Sequence, residues 1–230
     1  MEIIYLNADR LRAKAKEKIN KYLSLSKHNR LTIGLYKDGR FYVFGDEGEL
    51  SLYYDIGSVT KTVTAHLILK LYESKMLDLD ETVDKYLPLK AGKYPTVYQL
   101  LTHTAGYHHL TPVELTLPSL ACYGYARKNP YESCNVKKVI KSLERRRFIT
   151  PRVRYGYSDF ASAILAAVAE QITGTPFYLL LEDFLKNDLG LGETCIELPP
   201  EKRDPPAAKG GRLLPFWIWK KQNPYIAGGA

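Results

Sequence analysis

No run of apolar residues in this chain reaches the roughly 18 that a membrane-spanning helix needs. No membrane-spanning helix is therefore expected, and no membrane partner. Cysteine is scarce: Cys122, Cys134 and Cys195 are the only three. Their number is odd and their spacing fits no metal-ligand motif, so each is expected to be a packed small side chain in a reduced setting. No metal or organic cofactor is implied. No secretory leader is expected either, because the apolar cluster after Met1 is short and Asp9 to Lys21 follows as a charged, helix-like run. The expectation is a cytoplasmic protein. Acidic residues are outnumbered, 25 against 33 Lys and Arg, for a net charge of +8. That excess is spread along the chain. Its densest point, Arg145 to Arg147, closes a helix-like stretch from about Tyr131, where the helix dipole favours cations. No base-stacking or groove-reading motif accompanies the charge, so nucleic acid is not an expected partner.

What is present is an ordinary globular composition. Of 230 residues, 45 % are hydrophobic, enough for one or two compact domains with a core. Residues 8–25 read as an amphipathic helix. Leu31 to Tyr36 and Phe41 to Phe44 read as strands, joined by the turn Lys37-Asp38-Gly39-Arg40. The chain is thus expected to begin helix, strand, turn, strand. A longer helix is expected from about Ser58 to Lys75, with Val63, Leu67, Ile68 and Leu71 as its apolar stripe. Further helices are expected near 96–103, 134–146, 158–172 and 176–186, with Gly174 closing one and Pro176 opening the next. After Leu198, Pro199, Pro200, Pro205, Pro206, Gly210 and Gly211 mark a loop-rich stretch. There is no internal repeat.

One spacing carries chemistry. Ser-x-x-Lys places a hydroxyl and an amine on one face of a helix, one turn apart. A buried amine can be neutral and take the hydroxyl proton, and the free N–H groups of a helix start can face a developing oxyanion. With 10 Ser and 21 Lys in the chain, about one match is expected by chance. There are two. Ser24-Lys27 ends a helix and runs into a polar loop. Ser58-Lys61 follows Asp55-Ile56-Gly57 and opens the long apolar-striped helix, so only it has the architecture the chemistry needs. Its plain alternative is a helix-capping serine beside an exposed lysine.

Several segments then resemble one family. Tyr54 to Thr62 is similar to the nucleophile segment of the serine β-lactamases of class C and their penicillin-binding-protein, esterase and peptidase relatives. Leu77 to Val83 with Tyr86-Leu87-Pro88 resembles the stretch after the nucleophile helix. Leu100-Leu101-Thr102-His103-Thr104-Ala105-Gly106, Tyr157-Ser158-Asp159 and Ala227-Gly228-Gly229 resemble, in the same order, three further elements. The resemblance implies an α/β fold of the β-lactamase and transpeptidase type, an antiparallel sheet flanked by helices, as a single domain over 1–230 with a helical lobe at about 60–195. It implies that Ser58 is acylated by an ester or amide carbonyl, that Lys61 assists its deprotonation, and that Tyr157 shares the proton relay as a phenolate steadied by nearby cations. His103 is expected to be structural. Asp159 and Tyr107 are expected to line the substrate groove, with Tyr107 to Leu110 forming one wall.

Two departures weigh against that picture. Asp159 stands where the family usually has Asn, and a carboxylate only accepts hydrogen bonds and favours a charged Lys61. The chain also ends at Ala230, before the further strands the family carries, one of which supplies a second oxyanion donor. Lys209-Gly210-Gly211 has the letters of that strand's motif but precedes Ala227-Gly228-Gly229, so it reads as a loop. An exposed sheet edge is expected to favour a homodimer. The rival reading is a truncated, non-catalytic relative that binds ligands or partners through the same groove.

Overall fold

Ile3-Ile4-Tyr5-Leu6 is rich in β-branched and aromatic side chains, and it forms the first strand, β1 (Ile3–Leu6). A computed structural model of the chain describes residues 3–6, 13–25, 32–44, 53, 56–107, 129, 131–146, 154–197 and 219–228. The chain divides into two compact units, Met1–Asp55 with Leu198–Phe216 and Ile56–Glu197 with Trp217–Ala230.

In the first unit, β1 is followed by helix α1 (Ala13–Leu25) and strands β2 (Ile33–Lys37) and β3 (Arg40–Phe44). The sheet order is β1-β3-β2. β2 and β3 form an antiparallel hairpin, while β1 pairs parallel to β3 with Ile3 opposite Phe41 and Leu6 opposite Phe44. The expected opening of helix, strand, turn, strand is corrected: a strand precedes the helix, and the sheet is mixed. The chain returns from β1 to β3 through α1 and β2, a connection of the length a parallel pair requires. The hairpin turn is set by Asp38 at φ 52° and Gly39 at φ 77°. Both central residues lie in the left-handed region, which matches the twist of the flanking strands. Tyr36 and Phe41 face each other across the hairpin with ring centroids 4.8 Å apart.

The second unit is helical. It contains α2 (Thr60–Glu73), α3 (Val97–Leu101), α4 (Val136–Arg145), α5 (Asp159–Thr173) and α6 (Phe177–Asp183), the last continuing as one wider turn, Phe184–Asp188. α5 is the axis of the core, buried without a break from Asp159 to Ala169. Its five alanines in that stretch let neighbours approach closely, and α2, α3, α4, α6 and the short turn Pro224–Gly228 all pack on it. A helix apolar on every side belongs inside a protein.

Local chemistry fixes the ends. Thr96 and Gln99 form a reciprocal capping box on α3, Asn135 caps α4 and Ser158 caps α5. Gly174 closes α5 at φ 67°, a left-handed C-cap that glycine adopts without strain. Pro176 stands just before α6 as its cap residue. Cys134 is buried as expected, whereas Cys195 is exposed. Cys122 lies outside the described residues, as do most of the loop-rich stretch after Leu198 and the start of the expected first helix.

Candidate active site

Gly57-Ser58-Val59 forms a tight helical turn that leads into α2. Gly57 has φ 47°, a conformation that side chains disfavour, and this bend sets the exposed Ser58 at the helix start. Lys61 follows one turn later on the same face. Its Nζ is 3.1 Å from Ser58 Oγ.

The lysine is gripped from three directions. Besides Ser58 Oγ, Nζ contacts Asp159 Oδ1 at 2.6 Å and the Gly228 carbonyl oxygen at 2.8 Å. It also stands over the Tyr157 ring, 4.7 Å from the centroid. Three acceptors match the three N–H groups of an ammonium. The same positions also suit a neutral amine that donates to Asp159 and Gly228 and accepts from the Ser58 hydroxyl. Asp159 is the first residue of α5, where the helix dipole favours an acid. It is 1 % exposed, and Oδ2 lies 3.3 Å from the Tyr131 hydroxyl.

Gly228 reaches the site because the 219–228 segment is tied down. Thr64 Oγ1 of α2 donates to the Ala227 carbonyl at 2.8 Å. Asn223 donates from Nδ2 to the Tyr131 carbonyl at 2.6 Å, and Tyr225 stacks on Tyr131 with centroids 4.2 Å apart. A Cβ on residue 228 would come within 3.2 Å of Lys61 Nζ, so glycine permits this close approach.

On the other side, His103 holds the segment that carries Tyr157. Its carbonyl accepts from Gly156 N–H at 2.8 Å, and its Nδ1 accepts from Ser158 N–H at 3.3 Å. The His103 and Tyr157 rings are 4.9 Å apart. Burial, then the nearby Lys61 charge, hold the His103 imidazole below its ordinary value, with Asp159 opposing.

Of the residues singled out from sequence, Ser58, Lys61, Tyr157 and Asp159 gather at one place. Tyr107 does not join them as a groove wall. It is 4 % exposed, lies edge-on to Phe160 at 5.2 Å, and burial pushes its hydroxyl well above the ordinary phenol value. It is a core residue. His108 to Leu110 lie outside the described residues. Asp159, expected to bind substrate, is buried and faces Lys61 and Tyr131. Sequence reading missed Tyr131, Asn223 and the Gly228 carbonyl. The unusual carboxylate at 159 was a signal that a buried donor had to be found for it.

The Beta-lactamase family model matches residues 51–227, well over half of the chain. The chain belongs to the Beta-lactamase family. This is a family of serine hydrolases, and the fold is of the β-lactamase and penicillin-binding-protein type. A Beta-lactamase from Pseudomonas fluorescens is 29 % identical over 150 residues, which are 64 % of this chain and 37 % of that protein. A teichoic acid D-alanine hydrolase from Staphylococcus aureus is 25 % identical over 174 residues, 70 % of this chain and 39 % of that protein. The octameric penicillin-binding protein homologue from Pyrococcus abyssi superposes with a TM-score of 0.69 at 25 % identity, over 91 % of this chain and 52 % of that one. A class C beta lactamase from Rhodobacter sphaeroides has TM-score 0.62 at 20 % identity, over 83 % of this chain and 52 % of that one, a likeness of fold. This member thus spans less than two fifths of those two curated relatives and about half of the structures it matches.

Proposed function

We propose that this chain carries the acylation machinery of a serine hydrolase that opens an ester or amide through an acyl-Ser58 intermediate. The observation that carries the reading is Lys61 Nζ at 3.1 Å from Ser58 Oγ, at the start of α2. Ser58 Oγ attacks the carbonyl carbon as its proton passes to Lys61. Tyr157 is assigned the next place in the relay on the family resemblance, and what the geometry adds is its ring face 4.7 Å from Nζ. The proton is then delivered to the leaving oxygen or nitrogen, the C–O or C–N bond breaks, and water hydrolyses the acyl ester. The substrate class to test first is an acyl group of the D-alanine or β-lactam type, because relatives carry those names.

One observation favours a second reading, a relative that binds such ligands without turnover. Asp159 places a carboxylate 2.6 Å from Lys61 and so supports the ammonium, which cannot take a proton from Ser58. A fluorophosphonate serine probe separates the two. One adduct by intact mass, absent in Ser58→Ala, is the expected result. No adduct on folded protein would leave the binding reading.

A further inference from the structure

We infer that His103 is a positioning residue for Tyr157: its uncharged ring latches the segment that presents Tyr157 beneath Lys61, and protonation opens that latch. This rests on the reading of Ser58, Lys61 and Tyr157 as the reacting set.

The latch is double. The His103 main-chain carbonyl accepts from Gly156 N–H and its imidazole Nδ1 accepts from Ser158 N–H, so one residue bonds both neighbours of Tyr157. The rings of His103 and Tyr157 also lie 4.9 Å apart, and Tyr155 meets His103 edge-on at 6.1 Å. The residue adopts φ 57° as the left-handed position that closes α3, with its own N–H on the Leu100 carbonyl and the Thr104 N–H on the Gln99 carbonyl, so the helix end fixes where the ring stands. A histidine adopts left-handed backbone more readily than most residues, as does asparagine.

The bond from Ser158 N–H requires a lone pair on Nδ1. A charged imidazole is a donor at both nitrogens, so protonation replaces an attraction with two facing N–H groups. Among the described residues, the charges that act on the ring are Lys61 on α2 and Asp159 on α5, and the rings packed on it are Tyr155 and Tyr157. Burial is the main influence, and with Lys61 it disfavours a second cation, whereas Asp159 favours one. At neutral pH the latch is therefore closed. Because folding lowers the proton affinity of this ring, the unfolded chain binds more protons below its ordinary value of about 6.5. The contribution of His103 to stability is full above that value. It declines on acidification until the folded ring is itself protonated.

His103→Asn is the informative variant. Asparagine tolerates the left-handed backbone, and its Oδ1 lies the same number of bonds from Cα as Nδ1, so it accepts from Ser158 N–H at every pH. Second-order rates of fluorophosphonate adduct formation at Ser58 are to be measured from about pH 8 to pH 5, alongside the NMR titration of the His103 ring. The wild-type rate is expected to lose about tenfold in a step that coincides with His103 protonation. His103→Asn is expected to lack that step and to outpace wild type at the acid end. If His103→Asn keeps the same step, the inference is overturned. If wild type takes no adduct at any pH, the hydrolase reading fails first. Tyr157 ring resonances then decide the latch: a shift that tracks His103 protonation supports it, and constant resonances overturn it.

Discussion

Replacing Asp159 by asparagine tests whether its carboxylate restrains Ser58. The amide is nearly isosteric and keeps an acceptor oxygen for Lys61, so the contact at 2.6 Å can survive while a full negative charge is removed. Two unit charges 4 Å apart attract by about 4 kcal/mol at an effective dielectric constant of about 20. The carboxylate is 1 % exposed and the lysine side chain 10 %, so solvent screens the pair little. The retained amide contact replaces part of that attraction, so the ammonium, which carries one proton more than the neutral amine, loses about 2–3 kcal/mol of its electrostatic support. Lys61 must shed that proton before it can accept from Ser58. A weaker base takes the serine proton less readily, which cancels about half of the gain. The net expectation is adduct formation about tenfold faster than wild type at neutral pH, read from intact mass over time with Ser58→Ala as the blank. The same substitution leaves a buried cation without its counter-charge. Removing one partner of a buried pair costs about 3–5 kcal/mol, and the retained acceptors should reduce that to about 1–3. Melting should therefore begin several degrees earlier. A folded Asp159→Asn protein labelled about tenfold slower than wild type would refute the argument and make the carboxylate a driver of the reaction.

Two further outcomes follow from packing. Gly228→Ala puts a methyl group 3.2 Å from Lys61 Nζ, in a backbone conformation that alanine can adopt. Nζ must shift by a few tenths of an ångström, and labelling of Ser58 should fall by several-fold to about tenfold with little change in melting temperature. Ser158→Ala removes the oxygen that accepts from Ala161 N–H at the start of α5. The expected cost is about 1 kcal/mol, a melting temperature about 2–4 °C lower, readable by circular dichroism.

The helices of the second unit were legible because their signals are local. Thr96 with Gln99, Asn135, Ser158 and Gly174 mark helix ends within a few residues of where they stand, and α2 shows its stripe of Leu67, Ile68 and Leu71 directly. β1 was not legible. Four residues are too few to establish an alternating pattern, and its partner β3 is more than thirty positions away. Ser58 and Lys61 could be paired from spacing alone, since a helix fixes the geometry of residues three apart. Tyr107 was misplaced because its neighbours in sequence resemble a groove wall, while its burial depends on Phe160, 53 positions on. The main-chain acceptor at Gly228 has no side chain to announce it.

The groups that hold the partners of Lys61 explain why a distant segment matters to a short motif. Lys61 lies on α2 and Asp159 on α5, and both helices are already packed together in the core. Neither supplies the third acceptor. That acceptor comes from Gly228, held because Thr64, one turn beyond Lys61 on α2, bonds Ala227. The segment is held at its other end by Asn223 on the Tyr131 carbonyl and by Tyr225 on the Tyr131 ring. Tyr131 in turn presents its hydroxyl to Asp159 Oδ2. The chain of contacts therefore closes on itself, from Lys61 through Gly228 and Tyr131 to Asp159 and back. In such a loop the position of Nζ is set by every member, so a change at Tyr131 or Asn223 should alter the reactivity of Ser58 without touching it. Energies within the loop should also fail to add, since removing one contact loosens the partners of the next.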